Sequence, residues 1–149
     1  MMNALKARHF AVAVVAMIAP ATAAIPAPRP MAHMTTGQIT SQPIGHYQFC
    51  QNSKAECSVV SANVMPARVT DFGWNVIKEV NAEVNRRILP MTDLDIYGRD
   101  EVWSYPTDVG DCEDFVLEKR RELMKRGFAA ANLLITVVRK PDGEGHAVL

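Results

Sequence analysis

The sequence predicts an α+β domain in which helices pack on an antiparallel sheet. Three observations predict it. Apolar residues recur at helical spacing over 70–90, a second helical pattern runs from about 111 to 126, and 133–149 read as two short strands around a turn. With 149 residues, 48% hydrophobic and 21% charged, the chain is long enough for one core and too short for two typical domains. Sixteen basic and 16 acidic side chains cancel, and no Lys/Arg run stands out, so electrostatics give no reason to expect a nucleic-acid partner.

The N-terminal segment is set apart from the fold. Lys6, Arg8 and His9 precede an uncharged apolar run at 10–19, and Pro20 and small residues through Ala24 follow. This is the order of a secretory signal peptide cut near Ala23 or Ala24. The run is about half the roughly 20 residues a spanning helix needs, which makes an uncleaved anchor the lesser alternative. Export implies a periplasmic or secreted protein, and removal of residues 1–23 leaves 14 basic against 16 acidic side chains. Residues 24–45, rich in Pro, Thr, Ser and Gly, read as a flexible leader into a domain at 46–149.

Cys50 and Cys57 lie close together in a polar stretch, and in an oxidising compartment such neighbours usually pair. The expectation is a loop over 46–57, closed by a disulfide worth about 2–3 kcal/mol. Thr70 or Asp71 then caps a helix whose buried stripe is Trp74, Ile77, Val80, Val84 and Ile88, and Pro90 ends it. Residues 91–111 read as irregular. The next helix starts near Asp111 or Cys112 and stops at Gly127. Its apolar positions are Phe115, Val116, Leu123 and Met124, and residues 118–122 form a solvated charged face. Residues 133–138 (LLITVV) read as a buried strand. Pro141-Asp142-Gly143 is a turn, and Gly145 to Leu149 begin the partner strand.

Cys112 is the thiol left over once Cys50 and Cys57 pair, so burial or reactivity has to explain it. At a helix start, unpaired N–H groups and the helix dipole favour a thiolate, while Asp111 and Asp114 oppose it. His146 is the base nearest in the C-terminal half, and a hairpin following a helix can bring it to the thiol. A small buried cysteine is the competing reading. Zinc is disfavoured, because neither C-x-x-C nor H-x-x-x-H spacing occurs.

The string Gly110-Asp111-Cys112-Glu113-Asp114-Phe115 resembles the signature of the bacterial transglutaminase-like cysteine proteinases. Trp103-Ser104-Tyr105-Pro106 upstream, Gly145-His146-Ala147-Val148-Leu149 downstream and Phe49-Cys50 with Cys57 are similar to the family in the same order. The resemblance covers most of 43–149. It implies a papain-like, transglutaminase-core fold and a Cys–His–Asp triad, with Cys112 attacking an acyl carbonyl and His146 moving the proton. The family's best-known members are periplasmic, calcium-dependent proteases that release a surface adhesin. The resemblance therefore implies a protein substrate, such as a cell-surface protein, and calcium at Asp111 and Glu113. A helix cap at Asp111 and a dipole partner at Glu113 are the alternative there. The family's triad aspartate lies on a strand after the histidine strand, beyond Leu149, and neither Asp142 nor Glu144 matches its position. The expectation is thus a thiol peptidase domain incomplete at its C-terminus, with its last strands missing. The alternatives are an inactive remnant or binding domain, and acyl transfer to an amine.

Overall fold

The computed structural model describes residues 34–62 and 64–149. The expected signal peptide at 1–23 and leader residues 24–33 lie outside the described residues. Residues Ile39–Leu149 form one compact unit that carries every described helix and strand.

The unit opens with two helices, α1 (Ile44–Asn52) and α2 (Lys54–Cys57), where a loop was expected. The disulfide Cys50–Cys57 is present and closes the corner between them. Their sequence has no apolar stripe, so α1 is held by tertiary contact rather than by amphipathicity. Phe49 buries against Trp103 and Leu117, and its ring meets Tyr105 edge-on at 5.7 Å between centroids. A Cβ on Gly45 would lie 2.4 Å from Trp103 Cδ1 and 2.5 Å from the Glu101 carbonyl oxygen, so only glycine lets α1 seat there.

Helix α3 (Asp71–Arg87) follows the sequence closely. The Thr70 hydroxyl caps it by accepting from Gly73 N at 3.1 Å, and Asp71 and Arg86–Arg87 complement the dipole at its two ends. Val80, Val84 and Ile88 are buried with Leu123 and Leu133, and this cluster is the main core. Trp74 departs from the expected stripe. It is 54% exposed because the stripe's first turn overhangs a cavity instead of a packed neighbour.

The stretch read as irregular, 91–111, holds two short elements, and a third lies just before it. Strand β1 (Leu89–Pro90) pairs in parallel with β2 (Val109–Gly110), with Leu89 opposite Val109 and Pro90 opposite Gly110. Between them lies α4 (Asp93–Tyr97), capped by Thr92 and closed by Gly98 at φ 68°.

Helix α5 (Cys112–Lys125) packs on α3 on one side and on the terminal hairpin on the other. It stops as expected. Gly127 adopts φ 91°, and Gly127 and Phe128 return their N–H groups to Met124 and Leu123. Its expected solvated face is not all solvated. Glu118 is fully buried, with Arg87 and Arg121 each bonded to its carboxylate. Two cations make that burial tolerable, and the Arg87 pair ties α3 to α5.

A 3-10 turn (Ala130–Asn132) precedes β3 (Thr136–Arg139), which pairs antiparallel with β4 (Gly145–Val148). The expected buried strand over 133–138 is shorter and half open. It starts at Thr136, and Leu134 and Val137 are exposed, because a two-stranded sheet buries one face on α5 and leaves the other uncovered. The hairpin turn lies at 140–144, where Gly143 has φ 93°. None of the described helices is long and apolar enough to cross a membrane. The unit is of mixed helix and strand, in keeping with the α+β class.

Candidate active site

Cys112 is the first residue of α5, and β4 runs beside that helix start. The Ala147 N–H points at Cys112 Sγ from 3.5 Å. Ala147 is buried, and its neighbour His146 is exposed, as strand alternation requires. Cys112 and His146 line one cavity of about 930 Å³ between α3, α5 and β4, together with Trp74, Ile77, Met91 and Phe115. The two expected catalytic residues therefore share a wall without being hydrogen-bonded to each other. The polar partners of the sulfur are Ala147 N and Glu113 Oε2, to which the thiol donates at 3.0 Å.

That thiol corrects an expectation. Position at a helix start favours a thiolate, yet the Cys112 thiol is pushed up to about 11. Burial is the largest cause, followed by its hydrogen bond to Glu113. The Ala147 N–H pulls the other way, and the charges of Glu113 and Asp111 add to the rise. Burial first, and the two carboxylates after it, hold the thiol protonated here.

The carboxylates form a group of their own. Asp93, Asp111 and Glu113 each offer an oxygen, all within 4.8 Å of one another. Asp93 and Glu113 are buried. Asp93 Oδ2 accepts from Val102 N, and Asp93 N donates to Asp111 Oδ2 at 3.3 Å. Among the described residues, Asp93 Oδ1 and Asp111 Oδ1 are buried without a hydrogen-bond partner. Asp111 is pushed up to about 7 by burial first, then by the charges of Glu113 and Asp93. Its side chain does not cap α5, which removes one alternative role for it. Orphaned buried oxygens in a like-charged group fit a hard cation such as calcium, which takes oxygen ligands.

Sequence reasoning missed Asp93. Thr92-Asp93-Leu94-Asp95 carries a capping pattern that marks a helix start, but only the β1–β2 pairing brings that start to Asp111. Asp114, the last acid of the signature, is wholly buried. It accepts from Ser104 N at 2.8 Å and from Ser104 Oγ at 3.4 Å, and so fixes the segment carrying Trp103 and Tyr105. Burial pushes it up to about 7.

The family described as the bacterial transglutaminase-like cysteine proteinases matches residues 36–149. No curated protein and no solved structure matches the chain. With a match that spans the whole described domain, and with the signature thiol and histidine on one cavity wall, the chain belongs to the bacterial transglutaminase-like cysteine proteinases.

Proposed function

We propose that the chain is an exported thiol peptidase in which Cys112 attacks a peptide carbonyl and His146 is the base. The observation that carries this reading is the placement of both residues on one cavity between a helix start and a strand. A cysteine on the first turn of a central helix, beside a strand bearing the histidine, agrees with the papain-like core the family implies. His146 is exposed, so its ring can swing toward Sγ without disturbing the core. In that arrangement it takes the thiol proton and later returns it to the leaving amine. The first N–H groups of α5 lack intrahelical partners and would be the donors to the developing oxyanion. The thioester that forms on Cys112 is then hydrolysed by water. Trp74, Ile77 and Phe115 give the cavity an apolar wall against which a substrate side chain packs.

Asp93, Asp111 and Glu113 are the residues that would hold calcium. A bound cation would supply positive charge beside the thiol and offset the part of its raised pKa that the carboxylates add to burial. The substrate is a protein presented outside the cytoplasm, such as a cell-surface protein.

The test is hydrolysis of an unfolded protein substrate, with and without calcium, by the wild type, Cys112→Ala and His146→Ala. Loss of cleavage in both variants, with unchanged circular dichroism, is the expected result. Undiminished cleavage by Cys112→Ala sinks the reading.

A further inference from the structure

A second group of ligand-type side chains lies away from Cys112, at the corner of α1 and α2. His46, Cys50 and Cys57 each offer one ligand atom, and these atoms all lie within 4.8 Å of one another. His46 and Cys50 are four residues apart on one face of α1. His46 Nδ1 meets Gln42 Oε1 at 3.0 Å. If Nδ1 carries the proton in that contact, Nε2 is left as a lone-pair donor 3.8 Å from Cys50 Sγ. The ring is steadied by Trp103, edge-on at 5.1 Å between centroids. A tetrahedral zinc ion with ordinary bond lengths separates its N and S ligands by about 3.5 Å and two S ligands by about 3.8 Å. The imidazole already stands near the required distance, so only the two sulfurs need to part. All three residues line a cavity of about 390 Å³ with Gln42 and Arg120, which leaves room for that movement and for a fourth ligand.

We infer that the Cys50–Cys57 corner is a redox-gated site for a thiophilic divalent cation, zinc in chemical class, held by His46, Cys50 and Cys57. Reduction by an external dithiol breaks the S–S bond with two electrons and two protons. It yields two thiols and the disulfide of the reductant. Cation binding then displaces both thiol protons and forms two metal–thiolate bonds and one metal–imidazole bond. Charge makes the gate sharp. With the disulfide intact, His46 is the one member of the group with a free lone pair, and Arg120 and Glu56 on the same lining cancel in charge, so little holds a dication there. Two thiolates add the negative charge that neutralises the dication.

The test uses the whole chain in a Cys112→Ser background, so that the third thiol cannot contribute, with cobalt(II) as the probe. The oxidised and the phosphine-reduced protein are titrated anaerobically. The expected result is one cobalt per reduced chain, with a thiolate-to-metal charge-transfer band and tetrahedral visible bands, and neither band in the oxidised chain. Cobalt on the carboxylates near Cys112 gives no thiolate band, so the two sites are distinguishable. His46→Ala and His46→Gln should each weaken binding by at least the roughly 10–100-fold that losing a ligand's support costs. The inference is overturned by a reduced chain without the thiolate band, by a band indifferent to both His46 variants, or by loss of the helical signal on reduction.

Discussion

Gly110 precedes Asp111 and Cys112 and pairs with Pro90 in β2, and its replacement by alanine is the most informative single change near the site. Its φ lies outside the left-handed region, so backbone conformation does not demand glycine. On that ground alone, Gly110→Ala should stabilise the fold by about 0.4–1 kcal/mol, because alanine restricts the unfolded chain. Space argues the opposite. The new Cβ would stand 2.8 Å from Asp114 Oδ2, 2.9 Å from Asp114 Cβ and 3.2 Å from Pro106 Cβ. Asp114 cannot step aside cheaply, since it is wholly buried and holds Ser104 N. Overpacking of this kind costs about 1–3 kcal/mol, so the net effect is a loss of about 1–2 kcal/mol. For a domain of this size that lowers the melting temperature by roughly 4–16 °C. The shift also displaces Cys112, and a misplacement near 1 Å is worth roughly 10² in rate. Urea unfolding and hydrolysis assays on the same preparation read both effects. A variant as stable and as active as the wild type would refute the reasoning that Gly110 is there for room.

Three further outcomes follow from the same contacts. Arg121→Met should cost about 1.5–3 kcal/mol in urea unfolding, since buried Glu118 loses one of its two charged partners. The penalty should shrink when Glu118→Gln is already present, and full additivity would contradict the pairing. Asp114 titrates near 3.8 when unfolded and near 7 when folded, so the folded chain binds more protons between those values and stability falls as pH rises from about 4 to about 7. Asp114→Asn should remove its share of that dependence, at most something on the order of 4 kcal/mol, and leave the share of Asp111, which is raised in the same direction. Calcium at a hundredfold excess over its dissociation constant should raise the melting temperature by roughly 10–20 °C, and Asp93→Asn should abolish most of that rise. An equal rise in the variant removes Asp93 from the ligand set.

What the sequence made legible was local and periodic. Thr70, the apolar spacing of α3, the Gly127 stop and the turn before Gly145 are each encoded within a few residues, and each element formed where expected. What stayed hidden depends on distant partners. Helix α1 has no stripe and exists because Gly45 and Phe49 meet Trp103 across the fold. Glu118 looked like surface because its partner Arg87 comes from α3. The candidate site divides the same way. Cys112 and His146 stood out by residue type and resemblance, whereas Asp93 reaches Asp111 and Glu113 through a parallel pairing two residues long, too short to leave a periodic signal. The thiol's raised pKa was half legible, since the flanking acids were visible but their burial was not.

The central claim is that Cys112 is a nucleophile served by His146. Acid-quenched mixtures of the chain and a protein substrate, mapped by peptide mass spectrometry, test it directly. The expected result is a substrate-derived acyl group on Cys112 as a thioester, absent from His146→Ala under the same conditions. Turnover with Cys112 unmodified throughout, or an acyl group on another side chain, would contradict it.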